Sequence, residues 1–366
     1  MYHGGTNFGR TSGGPFITTS YDYDAPLDEY GNLNQPKWGH LKQLHASIKL
    51  GEKILTNGTH SNQDYGNSVT LTKFSNPSTG ERFCFLSNTN GSNDATIDLH
   101  ADGKYFVPAW SVTILDGCNK EVYNTAKVNS QTSMFVKEQN EKNNARLSWT
   151  WTPEPMRDTL QGRGKFKANH LLEQKGTTVD ASDYLWTPSG TDPVTLNMQG
   201  MGKGQAWVNG VSIGRFWPSF ISGNDGCSAN YDYKDAYNPS KCAGNCGNPS
   251  QRWYHVPRSF LSNDTNTLIL FEELGGNPQQ VSIQTITIGT ICGNANKGST
   301  LELSCQGGHI IFEIQFATYG NPEGRCGSFK KVSWDVTNNT ILVEKTCIGV
   351  ENCTIVLLMY LQDLLE

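Results

Sequence analysis

The residues whose types and spacing hold the most chemistry lie in the first thirty positions, MYHGGTNFGRTSGGPFITTSYDYDAPLDEY. Gly4, Gly5, Gly9, Gly13 and Gly14 surround one basic residue, Arg10, and the stretch closes on Tyr21-Asp22-Tyr23-Asp24. Three chemistries are open to it. A phosphate cradle needs a Gly-Lys-Ser/Thr turn opening a helix, but the first lysine is Lys37. A carboxylate pair is the second, because Asp22 and Asp24 share a face if the segment is extended. The paired carboxylates of glycosidases, however, flank one bond from opposite sides, about 5–5.5 Å apart when retaining and roughly 6.5–9.5 Å when inverting. Neighbours on one strand do not straddle a bond in that way. The third is a non-catalytic wall of a sugar pocket, where a ring covers an apolar sugar face and polar groups hold hydroxyls. That reading fits the residue types best. A plain glycine-rich loop with Asp and Tyr at its turns accounts for the composition equally well.

Other clusters carry less. His40 and His45 are five apart on a predicted helix, a poor spacing for one face, and no third metal ligand is near. Cys227, Cys242 and Cys246 include a Cys-x3-Cys spacing, but zinc sites want a second pair or histidines and only His255 is close. A disulfide-stapled loop is the favoured reading there. Trp207, Trp217 and Trp253 have rings that suit sugars, although core packing fits most of them.

These residues need elements to position them. Pro36 to Leu50 reads as a helix, with Pro36 in the first turn and Trp38, Leu41, Leu44 and Ile48 at helical spacing. Gly51 is placed to close it in the left-handed conformation. From Ser68 to about Val128 the pattern turns to short strands: Val69–Thr72, Arg82–Leu86, Ala95–Leu99 and Ser111–Leu115. Cys84 and Cys118 are placed to bridge there. Gln131 to Arg146 is polar and reads as a linker. Asp192 to Gly289 alternates like a sandwich, with Asn209-Gly210 between two strands as a type I′ hairpin. Thr354 to Tyr360 reads as a strand or a terminal helix.

Bulk properties bound the rest. The chain has 366 residues, a net charge of −5 and 38 glycines. Scattered Lys and Arg leave no electrostatic footprint for nucleic acid, and no apolar run approaches a membrane span. No signal-peptide pattern opens the chain. Ten cysteines and sequons at Asn57, Asn90, Asn263, Asn338 and Asn352 nevertheless favour a secreted or vacuolar origin.

HGGTNFGRTSGG followed by ITTSYDYDAPLDEYG resembles the end of the catalytic barrel of plant β-galactosidases, in the family that includes lysosomal acid β-galactosidase. The resemblance implies that Tyr21 lines the galactose pocket, with Asn7 and Tyr2 at the same barrel end. Pro108-Ala-Trp-Ser-Val-Thr-Ile-Leu-Asp-Gly-Cys resembles the all-β domain that follows the barrel. GKGQAWVNGVSIGRFWP and SQRWYHVPRSFL resemble a galactose-binding-like jelly roll. Leu301-Glu-Leu-Ser-Cys-Gln-Gly-Gly and the run from Phe316 to Phe329 resemble a rhamnose/galactose-binding lectin-like domain, as far as Cys353. Glu302 and Asn321 are its conceivable sugar contacts, although the family's closing Asp-Pro-Cys motif is absent.

The expected fold is therefore mainly β: a (β/α)8 barrel remnant over 1–51, an all-β domain over 52–130, a linker and shortened β segment over 131–191, a jelly roll over 192–290 and a truncated lectin-like domain over 291–366. Only Thr187 to Thr191 separate SDYLW from Asp192-Pro-Val-Thr-Leu, where the family has a further sandwich. Cys305, Cys326, Cys347 and Cys353 are expected to bridge, as are Cys227, Cys242 and Cys246. With Cys292 the last module has an odd number, so one thiol is left over.

By resemblance, the full enzyme removes terminal non-reducing β-galactose from cell-wall or glycoprotein glycans, with no metal or cofactor. Its acid/base and nucleophile are glutamates in Asn-Glu-Asn-Glu-Tyr-type and Thr-Glu-Asn-Trp-type motifs. Neither motif occurs here, and the first glutamate is Glu29. The chain alone is expected to be inactive. The alternative is a lectin-like carbohydrate-binding module without catalysis.

Overall fold

The structure is a computed structural model. It describes residues 1–11, 17–127, 129–139, 149, 188–224, 227, 246–263, 266–295, 300–320, 322–331 and 339–357. The described residues are mainly strand, arranged in several antiparallel sheets.

The opening segment holds little regular structure. Strands β1 (Gly5–Thr6) and β2 (Ser20–Tyr21) pair antiparallel, Gly5 opposite Tyr21. Helix α1 (Lys37–Leu50) follows, with Pro36 at its N-cap, and α2 (Glu52–Asn57) comes one residue later. Gly51 is not left-handed; its φ is −89°. The glycine is needed for space instead, because a Cβ there would lie 2.7 Å from the Phe83 ring. The residues α1 buries are Gly39 and Ser47. Leu44 and Leu55 pack on a cluster of Ile54, Phe83, Ile114 and Tyr123. Of the expected apolar stripe, Ile48 is left exposed.

The next unit is a five-stranded antiparallel sheet. Strands β3 (Thr59–Asp64), β4 (Val69–Ser75) and β5 (Arg82–Asn88) precede a hairpin of β6 (Ala95–Asp98) and β7 (Lys104–Val107), then β8 (Ser111–Asp116) and β9 (Lys120–Asn124). The order is β3-β4-β5-β8-β9. Val69, Leu71, Cys84, Leu86, Val107 and Leu115 make its core, and a Cys84–Cys118 disulfide lies inside it. The β3 strand is exposed along its whole length, so it gives no apolar alternation for a sequence reading to find.

The third unit is the sandwich. Its strands are β10 (Thr132–Glu138), β11 (Val194–Asn197), β12 (Gly204–Val208), β13 (Val211–Phe216), β14 (Trp253–Val256), β15 (Leu268–Glu272) and β16 (Ser282–Cys292). One sheet runs β10-β16-β11-β14 and the other β13-β12-β15. Val194, Leu196, Val208, Ile213, Phe216, Tyr254, Val256 and Leu268 from both sheets form one core. The Asn209-Gly210 hairpin has positive φ at both residues, as a type I′ turn requires. The polar stretch expected to be a linker supplies β10. It is an edge strand that pairs with β16 from Thr132 to Glu138, and edge strands tolerate polar sequence.

The last unit pairs β17 (Thr300–Ser304) with β18 (Asn352–Val356), with helix α3 (Asn339–Cys347) leading into the latter. Thr354 to Val356 are therefore strand. Disulfides join Cys292 to Cys326 and Cys347 to Cys353. Cys305, counted among the bridging cysteines from sequence, carries a free buried thiol. It sits in an apolar cluster with Leu303, Ile311 and the Cys347–Cys353 bridge, and burial pushes its pKa up. The Gln131 side chain docks this unit on the sandwich. Its Nε2 donates to Ser304 O at 2.8 Å and its Oε1 accepts from Ser304 N at 2.7 Å, copying a strand pair.

Candidate functional site

The wall that contains Tyr21 is built on missing Cβ atoms. A Cβ on Gly5 would lie 2.5 Å from the Tyr21 hydroxyl, and one on Gly4 would lie 2.6 Å from Tyr21 O. Only glycine lets the strand pass this close to the ring. Tyr21 is thus half-buried and braced from behind. Its open neighbour is Tyr23, whose ring centroid is 5.4 Å away and which is 62% exposed. Tyr23 and Asp24 are both left-handed, with φ of 57° and 48°. The chain is therefore not extended here, and the geometry that would put Asp22 and Asp24 on one face is lost. Asp24 is instead committed to Lys37 at 2.6 Å and to Asn34 at 3.3 Å.

Asn7 follows the end of β1. Its backbone N donates to Thr19 O at 2.9 Å, and its side chain is exposed. Tyr2 is exposed as well, but its hydroxyl meets His45 Nε2 at 3.2 Å. No hydrogen bond or ring contact joins Tyr2 to Tyr21 or Asn7 among the described residues. His40 packs on Tyr123 in another place, with burial lowering its pKa, so the two histidines belong to separate tyrosine contacts.

The sandwich holds this wall in position. Gln251, in the turn before β14, is the clip. Its Oε1 accepts from Thr19 N at 2.8 Å and Ser20 N at 3.0 Å, while its Nε2 donates to Ser20 Oγ at 2.9 Å and Trp253 O at 3.0 Å. Thr19 Oγ1 donates to Arg215 O, and Arg215 N donates to Arg10 O at 3.2 Å. Gly214 sits under this seam with Thr19, Arg10 and Asn7 around it. Phe8 joins the sandwich core and meets the rings of His255 and Phe260. Nothing in the sequence pairs Gln251 with Ser20, which lies 231 residues away. Sequence reasoning missed it for that reason.

A second polar cluster centres on residues 28–30, whose backbone passes beside Gly4. Burial, reinforced by the Asp22 and Asp28 carboxylates, pushes Glu29 up to about 7. Burial also raises Asp28. Tyr30 sets its ring edge-on to His255 at 5.6 Å, and burial pushes His255 down to about 4. Lys137 of β10 faces Glu29 and lies 4.2 Å over the Trp253 ring, with Arg252 at 4.7 Å from the same ring. Trp253 is therefore occupied by cations. Trp217 carries Lys203 at 4.3 Å and the edge of Phe220.

Of the remaining candidates, Cys227 bridges to Cys246, while Cys242 lies outside the described residues. Glu302 is an exposed residue of β17, and Asn321 and Asn338 lie outside the described residues. Asn57, Asn90, Asn263 and Asn352 are all on described surface segments.

Comparison with known proteins bears on this arrangement. Residues 1–48 match the model for Glycosyl hydrolases family 35. Residues 70–128 match the beta-sandwich domain in beta galactosidase, and 177–266 the galactose-binding domain of beta-galactosidase. Beta-galactosidase 8 of Arabidopsis thaliana is 31% identical over 535 aligned positions, covering 97% of this chain and 62% of the relative. Beta-galactosidase 3 of Oryza sativa subsp. japonica is 29% identical over 526 positions, with the same coverage. The chain thus spans less than two thirds of the length of these relatives. Each aligned span also exceeds the 366 residues of the chain, so the relatives hold internal sequence with no counterpart here.

Proposed function

We propose that this chain, a homologue of the plant β-galactosidases that carries a segment of glycosyl hydrolases family 35, forms one wall of a site for terminal β-galactosyl groups and does not by itself cleave them. The carrying observation is the pairing of a braced Tyr21 with an open Tyr23 ring 5.4 Å away, with Asn7 exposed one residue beyond the strand that pairs with Tyr21. Rings and amides together are what hold a sugar's apolar face and hydroxyls. Tyr2 is assigned a lesser part, since its hydroxyl is engaged by His45.

Retaining hydrolysis needs two carboxyl groups about 5–5.5 Å apart across the bond. Asp24 is neutralised by Lys37, and half-buried Glu29 has its pKa pushed up by burial to about 7. Neither of the two glutamate motifs occurs in the 366 residues. A protein that joins this wall to those motifs would remove terminal β-galactose from cell-wall or glycoprotein glycans. The disulfides fit a secreted or vacuolar setting.

The test is direct. The purified chain is expected to shift on titration with methyl β-galactoside in a Tyr23-sensitive way, while releasing nothing from a chromogenic β-galactoside. Galactose release above a mock purification would overturn the inactive reading. The second reading, a lectin-like carbohydrate-binding module, puts the binding on the sandwich and the lectin-like domain, and predicts glycan binding without hydrolysis that a Tyr23 substitution leaves unchanged.

A further inference from the structure

Trp110 is an oddity of the five-stranded unit. It is a bulky residue in the left-handed conformation, φ 51°, and 37% of it meets solvent. Such a backbone persists only where its surroundings over-determine it. Here they do. Trp110 N donates to Asn90 O at 2.8 Å, and Ala109 N donates to Asp94 Oδ1 at 2.8 Å. Asn88 Nδ2 donates to Asn93 O at 2.9 Å and Val107 O at 3.3 Å. The turns at 88–94 and 107–111 are thus laced into one platform. The structure uses these bonds to hold an indole at the surface beside Asn90.

Asn90-Gly91-Ser92 is a sequon. Asn90 Oδ1 accepts from Ser92 N and Asn93 N, both at 2.9 Å, which fixes the amide plane. Its Nδ2 has no hydrogen-bond partner among the described residues. The other sequons differ. Asn57 Nδ2 donates to Lys53 O at 3.2 Å and Thr56 Oγ1 at 3.1 Å. Asn352 lies within β18 opposite Ser304, whose hydroxyl its side chain engages, and is followed by the buried Cys353. Asn263 and Asn338 have sequons that extend beyond the described residues.

We infer that Asn90 carries an N-linked oligosaccharide whose first sugars lie against Trp110. In the step that attaches it, the Asn90 amide nitrogen bonds to C1 of the first sugar of a lipid-linked oligosaccharide diphosphate. The lipid diphosphate leaves with the electron pair of the broken C–O bond, and the nitrogen loses one proton. The donor belongs to the oxidising compartment in which the Cys84–Cys118 disulfide of the same unit forms. A sugar has an apolar face that an indole covers well, so the glycan accounts for the outward Trp110.

The test uses the full chain placed behind a cleavable secretion signal and secreted from mammalian cells. Enzymatic deglycosylation in heavy-oxygen water marks each occupied asparagine as a labelled aspartate. Position 90 is expected to be labelled; an unlabelled Asn90 in the secreted chain overturns the proposal. The melting temperature is then compared before and after deglycosylation. A loss of roughly 2–4 °C is expected for the unaltered chain. No loss is expected for Trp110→Asn, a residue that tolerates the left-handed backbone. Equal losses in both proteins would remove Trp110 from the proposal and overturn it. Should Trp110→Asn fail to fold, the labelling result and an Asn90→Gln variant of normal secretion still decide occupancy.

Discussion

Segment 1–34 and the sandwich beneath it differ in what holds them. In the sandwich, Val194, Leu196, Val208 and Phe216 are sealed from solvent and come from two facing sheets. Among its described residues, segment 1–34 has two strands of two residues each. Its described residues add Phe8 to the sandwich's core and set Tyr30 edge-on to His255, and they are tied down by polar clips such as Gln251 and the Arg10–Arg215 backbone bond. Burial of apolar area gives a core stability that survives the loss of any one contact, whereas a polar seam depends on each partner being present. The region with the most recognisable sequence thus leans on its neighbour for support.

The strongest way to break this contrast is Phe216→Ala. Phe216 is fully buried in the sandwich core, and such truncations cost about 3–5 kcal/mol. Denaturant unfolding is expected to show that loss. Segment 1–34 is expected to lose its protease protection in the same variant, because its support goes with the core. Protection that outlives the sandwich would show that the segment has a stability of its own.

A somewhat smaller effect is expected from replacing both Cys84 and Cys118 by alanine. The bridge closes a loop of 34 residues, worth about 3.8 kcal/mol in a chain-entropy account. The loss is expected to stay in the five-stranded unit, with hydrogen exchange in the sandwich unchanged. Exchange that rises equally in both units would mean that they unfold together.

How far these features can be read from sequence follows the same division. Strands β4, β5 and β8 show as runs of Val, Thr, Phe, Leu and Ile, because one face must enter a core. The Asn209-Gly210 turn shows because its backbone demands those residues. Strand β10 does not show: at a sheet edge Lys137 and Glu138 cost little, and the stretch reads as a linker. The wall is half-legible. The glycines and tyrosines are visible, but which ring is braced and which is open depends on two left-handed residues, Tyr23 and Asp24, that carry no glycine to announce them. The clip is illegible, since glutamine fits any surface turn.

Gln251→Leu sharpens the contrast at the seam. It removes the acceptor from Thr19 N, which lies in a buried residue, and from Ser20 N. Stranding buried donors costs roughly 1–3 kcal/mol. The expected result is faster exchange and proteolysis over residues 1–34, with unfolding of the sandwich little changed. Loss of both together would mean that Gln251 belongs to the sandwich's own stability.

The smallest effect tests the seam with pH. Glu29 has a folded pKa of about 7, raised above its ordinary 4.5. Its contribution to docking is complete below about 4.5 and is lost as pH rises through 7, because the folded state holds the proton longer. Asp28 is raised too and acts in the same direction at lower pH. His255 is depressed to about 4. Its contribution is complete above about 6.5 and is lost as pH falls through 4, because burial keeps it neutral. The two slopes oppose each other across pH 4.5–6.5, so the unaltered seam is expected to respond weakly there. Glu29→Gln is expected to leave protection that rises with pH over 4–6.5. His255→Phe is expected to leave protection that falls over 4.5–7. Each change is on the order of 1 kcal/mol, since both groups keep some solvent screening. Hydrogen exchange over residues 1–34 reads it, with the sandwich core as the internal reference. Parallel pH profiles in the two variants would show that neither group titrates at the seam.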